Sequence, residues 1–138
     1  QGNPYGLNPR EIQIFYAFNR FHYQSQLIKK LESGINIVAE DYTGTGIAWG
    51  MANGVDQQFL QAINEGLLLP DLAILMDGER FLKGMEKTHT HENDSSLTDR
   101  ARATHLKLRE EYNWPLINAN QEILQVQADI WKLVAPLF

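Results

Sequence analysis

Two acidic residues followed by hydroxyl side chains form the stretch of this chain best suited to chemistry. Glu40 and Asp41 come directly after the short apolar run 35–39, and Tyr42 and Thr45 follow them. A short apolar run behind a glycine is typical of a buried strand. In open parallel α/β sheets, ligands bind just beyond the carboxyl ends of the strands. Adjacent carboxylates at such a strand end indicate a binding site, and their oxygen atoms suit Mg²⁺.

The composition fits one domain and argues against several classes of protein. The 138 residues carry a formal net charge of −5, which argues against a broad nucleic-acid-binding surface. The lack of cysteine excludes disulfides and thiolate metal sites. No apolar run approaches the roughly 18 residues that a membrane helix needs, and no signal peptide is recognisable. We therefore expect a cytoplasmic protein without membrane partners.

Apolar periodicity and the positions of glycine and proline predict an alternating α/β order. An asparagine cap, a proline at the first helical position and a glutamate three residues after the cap predict a first helix over 9–33. Strands are predicted over 35–39, 72–76 and 114–118, and further helices over 47–52, 55–67, 79–87, 97–112 and 121–134. Crossover connections of this length require parallel strands, so the predicted fold class is α/β, a parallel sheet with helices on both faces.

Helical periodicity also assigns residues to the core. The predicted inward face of the first helix contains Ile12, Phe15, Tyr16, Asn19, Tyr23, Leu27 and Leu31. The predicted inward face of the last helix contains Ile123, Val126, Ile130, Trp131 and Val134. Met51 and Trp114 are expected in the core as well.

Four segments in the same order and spacing give the chain a family resemblance. Residues 15–20 read Phe-Tyr-Ala-Phe-Asn-Arg, and residues 40–50 align without gaps on an Asp-Arg-Tyr-x-x-Ser-x-x-Ala-Tyr-Gln motif. Residues 70–77 are similar to a Pro-Asp-Leu strand that ends in Leu-Asp, and residues 119–134 resemble the family's closing helix. The chain thus resembles thymidylate kinases, members of the P-loop nucleoside monophosphate kinase group.

The resemblance implies transfer of the ATP γ-phosphoryl group to dTMP, giving dTDP, with Mg²⁺ as cofactor and a homodimeric enzyme. It places Tyr16 where an aromatic ring stacks on thymine and Arg20 where a guanidinium hydrogen-bonds the base edge. It places Glu40 near magnesium and the transferring phosphoryl group. The adjacent carboxylates themselves, and not the family motif, make Asp41 the second candidate metal ligand. Tyr42, Thr45 and Trp49 fall at substrate-binding positions.

The resemblance also implies an ATP-binding lid over about 84–96, which includes the polar loop 88–96. Lys87, just before the polar loop 88–96, and Arg102, after it, are the implied ATP-binding cations. Arg100 is the implied catalytic cation, since such catalysis depends on neutralising phosphate charge. Nucleotides are accordingly the expected partners, with no role for nucleic acid.

Three departures from the family pattern limit this interpretation. Asp41 stands where the motif has a phosphate-gripping arginine, the lid contains no arginine, and no Gly-x-x-x-x-Gly-Lys-(Ser/Thr) loop occurs. We therefore expect 1–138 to be a single domain, the C-terminal two-thirds of a kinase fold that is incomplete at its N-terminus and inactive alone. Two alternatives stay open: a related nucleotide or deoxynucleoside kinase with another acceptor, and a non-catalytic nucleotide-binding domain.

Overall fold

The computed structural model describes residues 5–79 and 95–138, which contain five helices and two strands. In chain order they are α1 (Pro9–Glu32), α2 (Thr43–Ala52), α3 (Gln57–Ile63), β1 (Leu75–Asp77), α4 (Ser95–Glu111), β2 (Leu116–Asn118) and α5 (Ile123–Val134), followed by the 3-10 turn Ala135–Leu137. The helix predicted over 79–87 and most of the predicted lid lie outside the described residues. Ser95 and Ser96, predicted as loop, begin α4.

The start of α1 is set by a local capping arrangement. The Glu11 amide donates to Asn8 Oδ1 at 3.0 Å, and the Asn8 amide donates to the Glu11 carboxylate at 2.8 Å. Pro9 occupies the first helical turn, where it has no hydrogen bond to lose. These contacts confirm the predicted start, and Gly34, with φ of 82°, follows the helix as predicted.

The inward face of α1 is not the predicted one. Phe15 and Tyr16 are 60% and 50% exposed, whereas Gln13 and Ala17 are buried. Half-buried Arg20 and Gln24 continue this stripe at helical spacing. The prediction was wrong because it sought an apolar face, whereas this stripe includes Arg20 and Gln24, whose side chains form hydrogen bonds with other parts of the chain.

The strand predicted over 35–39 does not form. These residues are coil with exposed side chains, and they pair with no strand of the described part of the chain. An apolar run shows only that a segment suits burial, whereas a strand also needs a hydrogen-bonding neighbour. The two described strands pair with each other instead.

The apolar core is centred on α2. Ile47 and Ala48 of α2 pack with Leu60 of α3 and Leu108 of α4, and all four side chains are buried. Met51 and Trp114 pack against this cluster, as predicted, although both stay partly exposed. The Thr104 hydroxyl lies 2.9 Å from the Ala48 carbonyl oxygen and adds a polar link between α2 and α4.

The strands β1 and β2 form a two-stranded parallel sheet. Leu75, Met76 and Asp77 are in register with Leu116, Ile117 and Asn118. This pairing confirms a parallel connection between the second and third predicted strands. The described chain is therefore a helix-rich α/β structure, with two of the three predicted strands.

The last helix is more open than its periodicity predicts. Trp131 is 60% exposed, Ile123 is also exposed, and no residue of α5 is buried. The assignment of both side chains to the core was wrong, because α5 packs within the described residues only along β2 and the 3-10 turn. None of the helices in the described ranges has the length and apolar character needed to cross a membrane.

Candidate functional site

The first turn of α2 and the middle of α1 meet through Arg20. Its Nη2 donates to the Tyr42 carbonyl oxygen at 3.2 Å, and its Nη1 donates to Asn64 Oδ1 at 3.0 Å. Tyr42 immediately precedes α2, and Asn64 ends α3. One guanidinium therefore connects three elements at a single point.

Burial and neighbouring groups act in opposite directions on this guanidinium. Burial lowers the pKa of Arg20, while the nearby Tyr42, Tyr16 and Asp41 act to raise that pKa. The side chain remains a cation, because an arginine pKa lies far above neutral pH. Arg20 thus lies within electrostatic range of three other predicted site residues, Tyr16, Asp41 and Tyr42.

Tyr42 contributes a buried hydroxyl to the same place. Burial raises the pKa of Tyr42, and Arg20 partly opposes this increase. Within the described residues the hydroxyl has no hydrogen-bond partner. A buried polar atom without a partner is uncommon and is often satisfied by water or a ligand.

Tyr16 lies one helical turn before Arg20, and half of its surface is exposed. Residues four apart lie on the same face of a helix, so its ring and the guanidinium border one region. An open aromatic face can stack on a planar ring, and a guanidinium offers a rigid fork of N–H donors. Together they suit a planar heterocycle with carbonyl oxygens.

Two glycines in the first turn of α2 admit side chains from elsewhere in the chain. A Cβ at Gly44 would lie 2.6 Å from Trp114 Cη2, and a Cβ at Gly46 would collide with Arg20 Nη2. Trp114 and Arg20 fill the space beside these glycines.

The remaining predicted residues of α2 face different surroundings. Thr45 lies between the two glycines and is half-buried. Trp49, one turn further on, packs against the cluster formed by Ala52, Leu97 and Ala101. Trp49 therefore joins α2 to α4, while Arg20 joins α2 to α1.

Glu40 and Asp41 lie in the exposed connection before α2. Asp41 has φ of 57°, a left-handed conformation that few residues other than glycine adopt and that aspartate tolerates better than most. In the described ranges, no group of three or more histidine or acidic side chains is placed to hold a metal ion. Within these ranges, Glu40 and Asp41 offer a metal ion two neighbouring carboxylates.

The ends of the two strands form a second open region. A cavity of about 390 Å³ is lined by Asp77, Gly78, Glu79, Arg102, Leu116, Asn118 and Asn120. It lies just beyond the carboxyl ends of a parallel sheet, where ligands of α/β proteins commonly bind. Arg102 is the one predicted site residue among these lining residues.

Comparison with known proteins identifies the family. The family model described as thymidylate kinase matches residues 3–130. The chain belongs to the thymidylate kinase family.

Relatives of known name belong to the same family. The chain is 26% identical to the putative thymidylate kinase 251L of Invertebrate iridescent virus 6, over 93% of this chain and 61% of that protein. It is 25% identical to a thymidylate kinase of Dictyostelium discoideum, over 93% and 59%. It is 30% identical to a probable thymidylate kinase of Thermococcus gammatolerans, over 88% and 62%. The chain thus spans less than two thirds of the length of these relatives.

The cations assigned to phosphate by the thymidylate kinase resemblance have protein partners in this structure. Arg102 forms a bidentate pair with Asp77, with N–O distances of 2.6 and 2.8 Å. Arg100 donates from Nε to the Ala52 carbonyl oxygen at 3.1 Å and from Nη1 to the Ser96 hydroxyl at 3.0 Å. Lys87 lies outside the described residues.

Asn64 is a site residue that the sequence analysis missed. It follows the last turn of α3, shortly before Gly66, so its local pattern indicates only the end of a helix. Nothing in the family motifs points to it. Its contact with Arg20, 44 residues away, appears only in the folded chain.

Proposed function

We propose that this chain supplies the acceptor side of a cytoplasmic kinase that transfers the γ-phosphoryl group of ATP to dTMP, giving dTDP. The observation that carries the proposal is the position of Arg20, held at the first turn of α2 beside Tyr42 and one helical turn from Tyr16. The fit to the thymidylate kinase family over 3–130 supports the choice of acceptor.

In this proposal the chain's own side chains bind and orient the acceptor. The open ring of Tyr16 stacks on thymine, and the remaining N–H groups of Arg20 donate to a carbonyl oxygen of the base. Thr45 and Trp49 extend the acceptor site along α2. Such positioning is the main contribution of protein side chains to phosphoryl transfer.

Glu40 and Asp41 could hold Mg²⁺ only if water and phosphate oxygen atoms supplied its other ligands. The ion commonly takes one or two carboxylates from a protein and fills its other positions with water and phosphate oxygen. Glu40 and Asp41 are both exposed and supply that number of carboxylates. When bound, the ion would supply neutralisation of phosphate charge.

The donor nucleotide is assigned to the side of the molecule that carries α4. Arg100 and Arg102 lie on this helix, and Arg102 lines the cavity at the ends of the strands. Arg102 would reach a phosphate by leaving Asp77, whereas Arg100 would have to release the Ala52 carbonyl oxygen. Lys87 and the lid over about 84–96 complete this side of the proposal.

The proposal includes the arrangement of the whole enzyme. In this proposal residues 1–138 form a single domain. Phe18 and Phe21 leave an aromatic face exposed on α1 and support a homodimer. Light scattering at micromolar concentration tests this, and a monomeric mass would contradict the dimer.

A second candidate is a related kinase with another acceptor, and Asp41 favours it. A carboxylate at the position of the family's arginine repels a phosphate dianion, unless a metal ion lies between them. An acceptor with no phosphate, such as a nucleoside, would avoid this repulsion. Calorimetric titration of the purified protein with dTMP and with thymidine, each with and without Mg²⁺, separates the two candidates.

Arg20→Ala tests the acceptor site directly. We expect dTMP affinity to fall at least about tenfold, because hydrogen bonds from charged groups are among the stronger ones. Lys29→Ala is the matched control, since Lys29 is an exposed cation on the same helix. Equal affinities in the wild type and Arg20→Ala would remove Arg20 from the site. Tighter binding of thymidine than of dTMP would favour the second candidate.

A further inference from the structure

The Asn64 side chain is oriented by α3 itself. Its Nδ2 donates to the carbonyl oxygen of Leu60 at 2.8 Å, and Leu60 is fully buried. The Asn64 backbone amide donates to the last carbonyl oxygens of the same helix. With Nδ2 bonded to the Leu60 carbonyl oxygen, the amide oxygen Oδ1 has a defined direction.

That oxygen accepts from Arg20 Nη1 at 3.0 Å, while Arg20 Nη2 donates to the Tyr42 carbonyl oxygen at 3.2 Å. The two acceptors belong to different elements, and both are fixed by local structure. Because a guanidinium is planar and rigid, two fixed acceptors define its position and its plane.

Gly46 provides the space in which this guanidinium lies. Gly46 is buried in α2, and a Cβ at this position would collide with Arg20 Nη2. The position therefore requires glycine for steric reasons, although alanine is the better helix former.

Both described hydrogen-bond partners of Arg20 are neutral oxygen atoms. A neutral acceptor orients the guanidinium without cancelling its charge. These contacts use two of its five N–H groups. Oriented charge with N–H groups left over is what recognition of a ligand carbonyl or phosphate oxygen requires.

We propose that Asn64 and Gly46 are positioning residues that hold the Arg20 guanidinium beside the first turn of α2, aimed at the acceptor nucleotide. The acceptor part of this proposal rests on the proposed function. The positioning part rests on the contacts alone and can be tested without a ligand.

The test is Asn64→Ala, read by NMR of the Arg20 side-chain N–H groups and by dTMP titration. In the wild type we expect Arg20 Nη signals that are protected from solvent exchange and separate from those of exposed arginines, because Nη1 and Nη2 form the two hydrogen bonds. Asn64→Ala should remove this protection and weaken dTMP binding about tenfold. Asn53→Ala is the matched control, because Asn53 ends α2 with the same side-chain bond to a backbone oxygen, at 2.8 Å from Trp49.

Gly46→Ala tests the positioning of the Arg20 guanidinium from the α2 side. The added methyl group meets only the tip of a flexible side chain, so the variant should fold while the guanidinium is displaced. We expect loss of the protected Arg20 signal and a similar decrease in dTMP affinity.

The outcomes separate this proposal from the proposed function. An unchanged Arg20 signal in both folded variants would overturn the positioning role, even if the wild type binds dTMP. Loss of the signal in both variants, with a wild type that binds no dTMP, would support positioning and contradict the dTMP acceptor.

Discussion

The helices α1 and α2 lie side by side and are held by different kinds of contact. Along α2, Ile47 and Ala48 pack into an apolar core with Leu60 and Leu108. Along α1, the inward stripe is Gln13, Ala17, Arg20 and Gln24. Two of these side chains, Arg20 and Gln24, attach α1 through directional hydrogen bonds, whereas the buried Gln13 Oε1 has no hydrogen-bond partner within the described residues.

We call the inward stripe of α1 the α1 seam and the apolar packing along α2 the α2 seam. The two seams contribute differently to stability and to orientation. Apolar packing is non-directional and contributes in proportion to the area buried, so it supplies stability without fixing any one donor. Hydrogen bonds contribute less to net stability but define distance and angle. The candidate acceptor site lies on the α1 seam, where orientation matters. We expect core variants to lose stability and α1 variants to lose mainly ligand binding.

The largest effect is expected from Leu108→Ala. This side chain is fully buried in the α2 core, and removing it leaves a cavity among close-packed neighbours. The free energy of unfolding should fall by about 3 kcal/mol, measured by urea unfolding. Leu124→Ala is the control, because Leu124 is 78% exposed on α5. A loss as large in the control would place the main core elsewhere.

Gly50→Ala should be the next most damaging, and it is best compared with Gly46→Ala in the same helix. A Cβ at position 50 would lie 2.6 Å from Leu60 Cδ2, inside the core. Overpacking should cost about 1–3 kcal/mol, more than the gain of roughly 1 kcal/mol in helix propensity. Gly46→Ala, whose nearest neighbour is the Arg20 guanidinium, should lose less stability, because the gain in helix propensity offsets part of the loss of the Arg20 hydrogen bonds. Equal destabilisation by both would contradict the distinction between the seams.

Gln24→Ala tests the α1 seam away from the site. Its Oε1 accepts from the Leu68 amide at 2.6 Å, and its Nε2 donates to the Gly66 carbonyl oxygen at 3.1 Å. Losing both bonds should cost about 1–2 kcal/mol in unfolding free energy. Gln26→Ala on the exposed face of α1 is the control and should change little. No difference between the two variants would mean that apolar contacts hold α1 in place.

The smallest effect is expected at the exposed ion pair outside both seams. The hydrogen bonds from Arg102 hold the pKa of Asp77 below its ordinary value. The pair therefore stabilises the fold above the ordinary aspartate pKa of about 4, and this stabilisation is lost as pH falls through the lower folded-state pKa.

Asp77→Asn should lower Tm by no more than about 2 °C at pH 7, with the difference disappearing in acid. Thermal unfolding from pH 7 to pH 3 measures this, and high salt should reduce the difference at neutral pH. A difference that grows toward acid would contradict the assigned direction of the pKa shift.

Local features of this chain were predictable because they depend on residues close in sequence. The capping box at Asn8 and Glu11 sets the start of α1, as predicted. The connection between the second and third predicted strands was long enough to require parallel pairing, and β1 and β2 are parallel. The motif segments also predicted membership of the thymidylate kinase family.

For parts of the site, the sequence identified the residues but not their contacts. Family motifs singled out Tyr16, Arg20 and Tyr42, and the structure brings both tyrosines within electrostatic range of Arg20. The sequence of 35–39 could not decide whether these residues form a strand, because a strand needs a hydrogen-bonding neighbour that its own sequence does not specify.

Only the tertiary structure decided which side chains hold the site. Arg20 meets Asn64 across 44 residues, and Arg102 meets Asp77 across 25. Such contacts follow from how the helices pack, and no local pattern encodes them. The polar stripe of α1 shows the same limit. Periodicity detects apolar faces, whereas a buried Gln13 or a half-buried Arg20 is identified only once the opposing surface is in place.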